Sequence, residues 1–339
     1  MLFITNRFPE QSIRSRMGRK FTFDLDNNAP SNSMFFCEAG SIKTRGGKKE
    51  YTEKVEHIEI MSEGLLGRIR GQDYDQVLIY IHGFNTLPHD ALTRAHELQE
   101  LCDQQAGKVL VLPVIWPCDN DFGIVQDYWD DQWSAYYSGA SLSRVISRFL
   151  EWQLEMEKKL SKNSEFPRCL KRLNVLAHSM GARVYRQTLI DWRRKNVSAG
   201  FPRLFQNSFL VAADVVNDTL DPGHSGSLIC EASRNVVVYY AVDDKALNAS
   251  VAANVKNGNV MRRLGSTGPH MELRKGEGNV YQVNCDNVNS LYGDDKGHNY
   301  FLSHPGTKEA GKVFLHIFQC MMRKSVYPAD PSQRSFKIG

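Results

Sequence analysis

The chain of 339 residues has no long hydrophobic run, no paired-cysteine motif and no excess of charge of either sign. Its longest apolar stretches, Val77–Ile81 and Val109–Trp116 (broken by Pro113), fall far short of the roughly 20 residues that a membrane span needs. The segment Met1–Arg7 carries no extended apolar region of the kind a secretory signal requires. A soluble, cytoplasmic protein without membrane insertion is the expectation. The seven cysteines, at 37, 102, 118, 169, 230, 285 and 320, are odd in number and scattered, so reduced core thiols are expected rather than a disulfide framework. A net charge of +4 from mixed Lys/Arg and Asp/Glu gives no electrostatic footprint for nucleic acid. No metal is expected, because no H-E-x-x-H or H-x-x-E-H spacing occurs and His82, His89, His178 and His298 fall at different predicted strand ends. No cofactor is expected either: Gly276-Glu277-Gly278 neither follows a strand nor opens a helix.

What remains is ordinary globular composition, 42% hydrophobic and 24% charged, arranged in two patterns. Over the first seventy residues, short β-like runs (Leu2–Thr5, Phe21–Leu25, Ser33–Cys37) alternate with polar, turn-rich stretches, and the basic cluster Lys43–Lys49 reads as a solvated hairpin tip. From Gln76 onward, short fully apolar runs alternate with helical ones. Strands are predicted at Val77–Ile81, Lys108–Trp116, Arg172–Ala177, Ser208–Ala213, Val236–Val242 and Asn279–Cys285. Helices are predicted at Pro88–Gln105, within 133–160, and at Gly181–Arg194 and Thr307–Met322. Continuous apolar strands joined by helices mark an α/β protein, with a mainly parallel sheet covered on both faces. The expected division is an N-terminal β extension packed on the sheet (1–70), a catalytic domain (71–325) and a C-terminal tail (326–339).

Chemistry concentrates in Asn174-Val175-Leu176-Ala177-His178-Ser179-Met180-Gly181. An apolar strand runs straight into Ser179 and a helix opens two residues later, with small residues, Ala177 and Gly181, on either side. That is a nucleophile elbow, which lifts a serine hydroxyl above the carboxyl edge of a sheet. A serine needs a base, and the base an orienting acid, each on a loop after a later strand. His298, in Gly297-His298-Asn299-Tyr300, fills the base slot, with His304 its competitor. Asp243, Asp244 and Asp214 all qualify as the acid, while Asp286, Asp294 and Asp295 read as turn formers. The oxyanion donors are expected at the backbone N–H of Met180 and, in His82-Gly83-Phe84-Asn85, of Phe84. His82 and His178 are expected to pack or hydrogen-bond in their turns. The aromatic stretch Asp127–Tyr137 either walls a substrate pocket or packs as a helix face, and Trp129 and Trp133 are its test positions.

Thr5-Asn6-Arg7, His82-Gly83-Phe84-Asn85, His178-Ser179-Met180-Gly181, Asp244-Lys245-Ala246-Leu247, Arg263-Leu264-Gly265 and His298-Asn299-Tyr300 occur in this order. Together they resemble the bacterial α/β-hydrolase family catalogued as domain of unknown function 900. The resemblance implies a three-layer sandwich with Ser179 as nucleophile and His298 as base, and it favours Asp244 as the acid. Lys43–Lys49 and Gly268–Gly278 depart from the pattern. The activity expected on this basis is cofactor-independent hydrolysis of small-molecule carboxylic esters by a serine esterase or lipase-like enzyme, short or medium acyl chains first, because no long apolar lid insertion separates the strands. A thioesterase, amidase or acyltransferase would use the same parts. The competing class is a non-catalytic interaction protein with the hydrolase fold. Nothing in the sequence fixes an oligomeric state.

Overall fold

The computed structural model describes the chain except for residues 46–47, 119–123, 163–171, 197–200, 248–261, 274–277, 293–296, 305, 324, 327–332 and 339. Cys169, Asp294 and Asp295 lie outside the described residues. The strands are β1 (Leu2–Thr5), β2 (Lys20–Phe21), β3 (Phe35–Glu38), β4 (Lys43–Arg45), β5 (Lys48–Glu50), β6 (His57–Glu59), β7 (Gln76–Ile81), β8 (Val109–Ile115), β9 (Arg172–His178), β10 (Phe205–Val211), β11 (Ser233–Tyr240), β12 (Val280–Asn284) and β13 (Ser335–Lys337). The helices are α1 (Met61–Gly71), α2 (Pro88–Gln104), α3 (Ile124–Lys162), α4 (Gly181–Lys195), α5 (Ser227–Ala232), α6 (Leu264–Thr267), α7 (Asn289–Tyr292) and α8 (Lys312–Arg323).

Eleven strands form one sheet in the order β13-β12-β11-β10-β9-β7-β8-β1-β3-β6-β2. From β13 to β1 every neighbour is parallel, and β3, β6 and β2 then add antiparallel edges. Alternation along each strand sorts its side chains between two cores. On β7, Val77 and Ile81 face α1, α3 and α4, whereas Leu78 and Tyr80 face α2 and α8. The helices explain the near-continuous apolar runs, since both faces of the central strands are covered. At the amino ends of these strands the sheet carries a buried amide ladder. Asn235 donates to Asn207 (2.9 Å), Asn207 to Asn174 (2.8 Å) and Asn174 to Gln76 (3.2 Å), satisfying groups that burial would otherwise penalise.

Three features differ from the sequence-based expectation. The N-terminal strands do not pack on the sheet as a separate layer: β1 pairs in parallel with β8 and continues the sheet. Its hydrogen-bonding edge is supplied by a neighbour more than a hundred residues away, which no local pattern encodes. Helix α1 occupies residues assigned to the extension, and α3 begins nine residues before 133. The tail supplies β13, parallel to β12. The basic cluster does form a hairpin, β4 with β5, and Lys49 pairs with Glu100 on α2 at 2.6 Å. The six described cysteines are free, and all but Cys230 are buried. Among the described residues no helix is long and apolar enough to cross a membrane.

Phe3 on β1 is fully buried in a third cluster with Phe21, Phe23, Phe35, Ala91 and Ile115, which joins the N-terminal strands to α2 and β8. Phe3→Ala is therefore expected to cost about 3–4 kcal/mol of global stability. Followed by denaturant titration of tryptophan fluorescence, the loss should appear as a shift of one cooperative transition. An unshifted main transition would show an independently folding N-terminal extension.

Candidate active site

The chain's order of crossings sets the position of the site. From β7 the connection through α2 leads to β8 on one side, and from β8 the connection through α3 returns to β9 on the other. The carboxyl ends of β7 and β9 thus flank a switch in strand order, where open α/β sheets form a crevice. The loop after β7 and the turn after β9 face each other there.

Ser179 follows β9 with φ of 52°, a left-handed conformation that a non-glycine residue rarely adopts. Its backbone is held from both sides: the N–H of Ser179 donates to the Val211 carbonyl (2.9 Å), and the N–H of Asp214 donates to the Ser179 carbonyl (3.0 Å). Asn85, after β7, and Ala212, after β10, also have positive φ, so strained backbone gathers around this edge. A Cβ on Gly181 would stand 2.4 Å from the Ile81 carbonyl oxygen, and one on Gly83 would stand 2.9 Å from Ser179 Cβ. Both glycines are needed for close backbone approach. Among the described residues, neither the N–H of Met180 nor that of Phe84 is taken up by a hydrogen bond. Among the described residues both donors are thus unspent at this edge of the sheet.

Asp244 and His298 come together as the sequence pattern suggests. His298 Nδ1 lies 2.7 Å from Asp244 Oδ2, and the carboxylate is fully buried. The other oxygen, Oδ1, accepts the N–H groups of Ala246 and Leu247 at 3.0 Å each. With Nδ1–H donated to the acid, Nε2 keeps its lone pair. Asp243 is exposed, and Asp214 is committed elsewhere. His304 lines a pocket with Thr93, His96 and Glu100 on the outer side of α2. The His298 ring sits beside the elbow, its centroid 4.7 Å from that of His178. Among the described residues no hydrogen bond joins Ser179 Oγ to the imidazole, and such bonds commonly tighten only when substrate binds.

The two turn histidines are structural. His82 stacks on Trp116 (5.2 Å between centroids), donates through Nδ1–H to the Gly83 carbonyl (2.9 Å) and accepts the Trp116 N–H at Nε2 (3.2 Å). Burial pushes its pKa down to about 3. His178 donates through Nε2–H to the His298 carbonyl (3.1 Å), tying the base's own backbone to the elbow. Burial, and then the charge of His298, hold its pKa well below the ordinary histidine value.

Several supports are not signalled by any short motif. Asp214 accepts the Tyr128 hydroxyl (2.7 Å) and pairs with Arg263 (3.2 Å) and Arg183 (3.4 Å). Tyr128 packs its ring edge-on to Phe84 at 5.6 Å. Asp131 accepts the Cys118 thiol (2.8 Å) and the Asn85 N–H (3.3 Å), so α3 braces the loop after β7. Within the aromatic stretch, Tyr128 reaches the site, Trp129 packs on the core and Trp133 is 62% exposed, stacked on Tyr137.

Neutral His82 and His178 make stability depend on pH. Both take up protons more readily unfolded, with a pKa near 6.5, than folded. Their contribution is complete above about pH 6.5 and is lost as pH falls toward the folded values, by about 2 kcal/mol at pH 5 for His82 and in the same direction for His178. Urea titrations at pH 7.5 and 5 should show this loss, and His178→Gln should narrow it. An equally large loss in His178→Gln would assign the effect to other groups.

Neither the curated proteins nor the solved structures return a match. A family model, described as alpha/beta hydrolase of unknown function (DUF900), matches residues 61–312, a span that runs from α1 past the His298 loop to the start of α8. With the switch-point crevice, the strained serine and the acid–imidazole pair inside that span, the chain belongs to this family of α/β hydrolases.

Proposed function

We propose that the protein is a serine hydrolase that cleaves carboxylic esters through an acyl-enzyme. The observation that carries this reading is the 2.7 Å pairing of His298 with buried Asp244 beside a serine held at φ of 52°. Ser179 Oγ attacks the ester carbonyl carbon while His298 Nε2 takes its proton. The oxyanion settles between the N–H groups of Phe84 and Met180, which carry no other bond among the described residues. The tetrahedral intermediate collapses, the imidazolium returns the proton to the leaving alkoxide oxygen, and an alcohol departs. Water repeats the sequence on the acyl-enzyme, releasing the carboxylic acid and restoring Ser179. Asp244 remains ionised throughout. Its two backbone donors and the Nδ1–H fix the imidazole's tautomer and orientation.

Small-molecule esters with short or medium acyl chains are the substrate class to test first. Wild-type protein should be labelled by a fluorophosphonate probe and should hydrolyse p-nitrophenyl esters of graded chain length. Ser179→Ala should abolish labelling. Asp244→Asn should lower kcat by about 10⁴-fold, and His298→Gln by at least as much, with the fold retained by circular dichroism. A folded wild type that takes no label and turns over no ester would instead mark a non-catalytic member of the family.

A further inference from the structure

At the opposite end of the strands from Ser179, the sheet face under α1 and α3 is incompletely filled. A cavity of about 100 Å³ lies between these helices and β7, walled by Leu65, Ile69, Val77, Ile146, Phe149 and Leu204. It has room for several waters, yet among its lining only Ser62, Arg148 and Trp152 carry polar side-chain atoms, so water inside finds few partners. An apolar occupant would remove its walls from water.

The cavity opens toward charge. Phe36, Val145 and Arg148 also wall an adjoining polar pocket of about 250 Å³, completed by Arg144, Asn32, Ser33 and Ser15. Arg144 and Arg148 stand one turn apart on α3. Arg144 donates to the Asn32 carbonyl, and Arg148 donates to Ser62 Oγ at 2.6 Å. Neither guanidinium forms an ion pair among the described residues, and the charge Arg148 does feel is that of exposed Glu63. Burial, and then the neighbouring Arg148 charge, lower the Arg144 pKa. Two like charges facing one pocket are eased by a shared anion, and guanidinium groups suit a carboxylate. Ser15, on the wall of the polar pocket, is flanked in sequence by Arg14 and Arg16.

We propose that these joined pockets bind a medium-chain fatty carboxylate, with the carboxylate between Arg144 and Arg148 and the alkyl tail between α1 and α3. The site is separate from Ser179 and does not rest on the reading of that residue as a nucleophile.

The test is isothermal titration of the full-length Ser179→Ala protein with hexanoate, octanoate, decanoate, decanol and acetate. Affinity should rise by about fourfold per added methylene until the tail fills the cavity. Decanol and acetate, each lacking one half of the recognition, should bind at least tenfold more weakly than decanoate. The surface double variant Arg144→Gln/Arg148→Gln should weaken decanoate binding tenfold or more, while its circular dichroism spectrum and melting temperature stay those of the parent. Val145→Phe, which fills the junction, should abolish binding with the melting temperature maintained. Decanoate that does not saturate below millimolar concentration, or that binds both variants as tightly as their parent, overturns the proposal. Equal affinity for decanol and decanoate overturns the role of the arginines.

Discussion

The turn after β9 and the loop after β7 meet closely, with Gly83 against the Ser179 Cβ and the His178 ring and Gly181 against the Ile81 and His82 carbonyls. A Cβ on Gly83 would come within 2.9 Å of Ser179 Cβ, and a Cβ on Gly181 within 2.6 Å of the His82 carbonyl oxygen. Because β7 and β9 are hydrogen-bonded neighbours, the sheet holds the two segments at this separation before any side chain contributes. In the proposed reaction an oxyanion donor is effective only within hydrogen-bond range of the reacting oxygen, so a residue larger than glycine at either position would displace the Phe84 or Met180 N–H from that range. The free N–H groups of Phe84 and Met180, the raised φ of Ser179 and the position of its hydroxyl all depend on that contact.

Strain of this kind persists only where the surroundings over-determine it. Here the restraint comes from the helices on one face of the sheet. Asp214 donates its N–H to the Ser179 carbonyl, and its carboxylate collects Tyr128 from α3, Arg183 from α4 and Arg263 from the segment before α6. A buried carboxylate with two guanidinium partners and a hydroxyl is strongly committed, which is why the strand-end aspartate nearest the elbow is unavailable to the imidazole. Gly265 completes the arrangement: a Cβ there would lie 2.2 Å from the Ala212 carbonyl carbon, so the α6 turn closes directly on the strand end that anchors Asp214.

The elements legible in the sequence are those encoded by local periodicity or a sharp punctuation. β7, β9, α2 and α4 begin and end within a residue or two of their predicted bounds, because each is an apolar run or a 3.6-residue stripe closed by Pro88, Gly181 or a polar loop. Ser179, Asp244 and His298 were legible for the same reason, since each follows a strand whose pattern is strong. Spacing alone left Asp243, Asp244 and Asp214 open as acids, and only the family resemblance favoured Asp244. What separates them is burial and the identity of the cations nearby, properties set by residues 183 and 263 that are remote along the chain. The joining of β1 to β8 was likewise hidden, because strand pairing is a long-range property and Leu2–Thr5 carries no mark of its partner. So was the bracing of Asn85 by Asp131 through α3, where the signal was only an unexplained density of aromatic and acidic residues.

The paired histidines of the site divide its electrostatics. His178 and His298 lie with ring centroids 4.7 Å apart, close enough that two positive charges would repel strongly in a partly desolvated setting. Burial keeps His178 neutral, and its Nε2–H is spent on the carbonyl of His298 rather than on any reacting group. In the proposed reaction only His298 gains a proton, and Asp244 is the carboxylate in contact with it among the described residues. His178 thus fixes the loop that carries the base without competing for the charge that the base must hold. A charged residue at that position would oppose the imidazolium on which proton return to the leaving group depends. An aliphatic one would leave the His298 carbonyl without its buried donor, so a neutral imidazole meets both requirements at once.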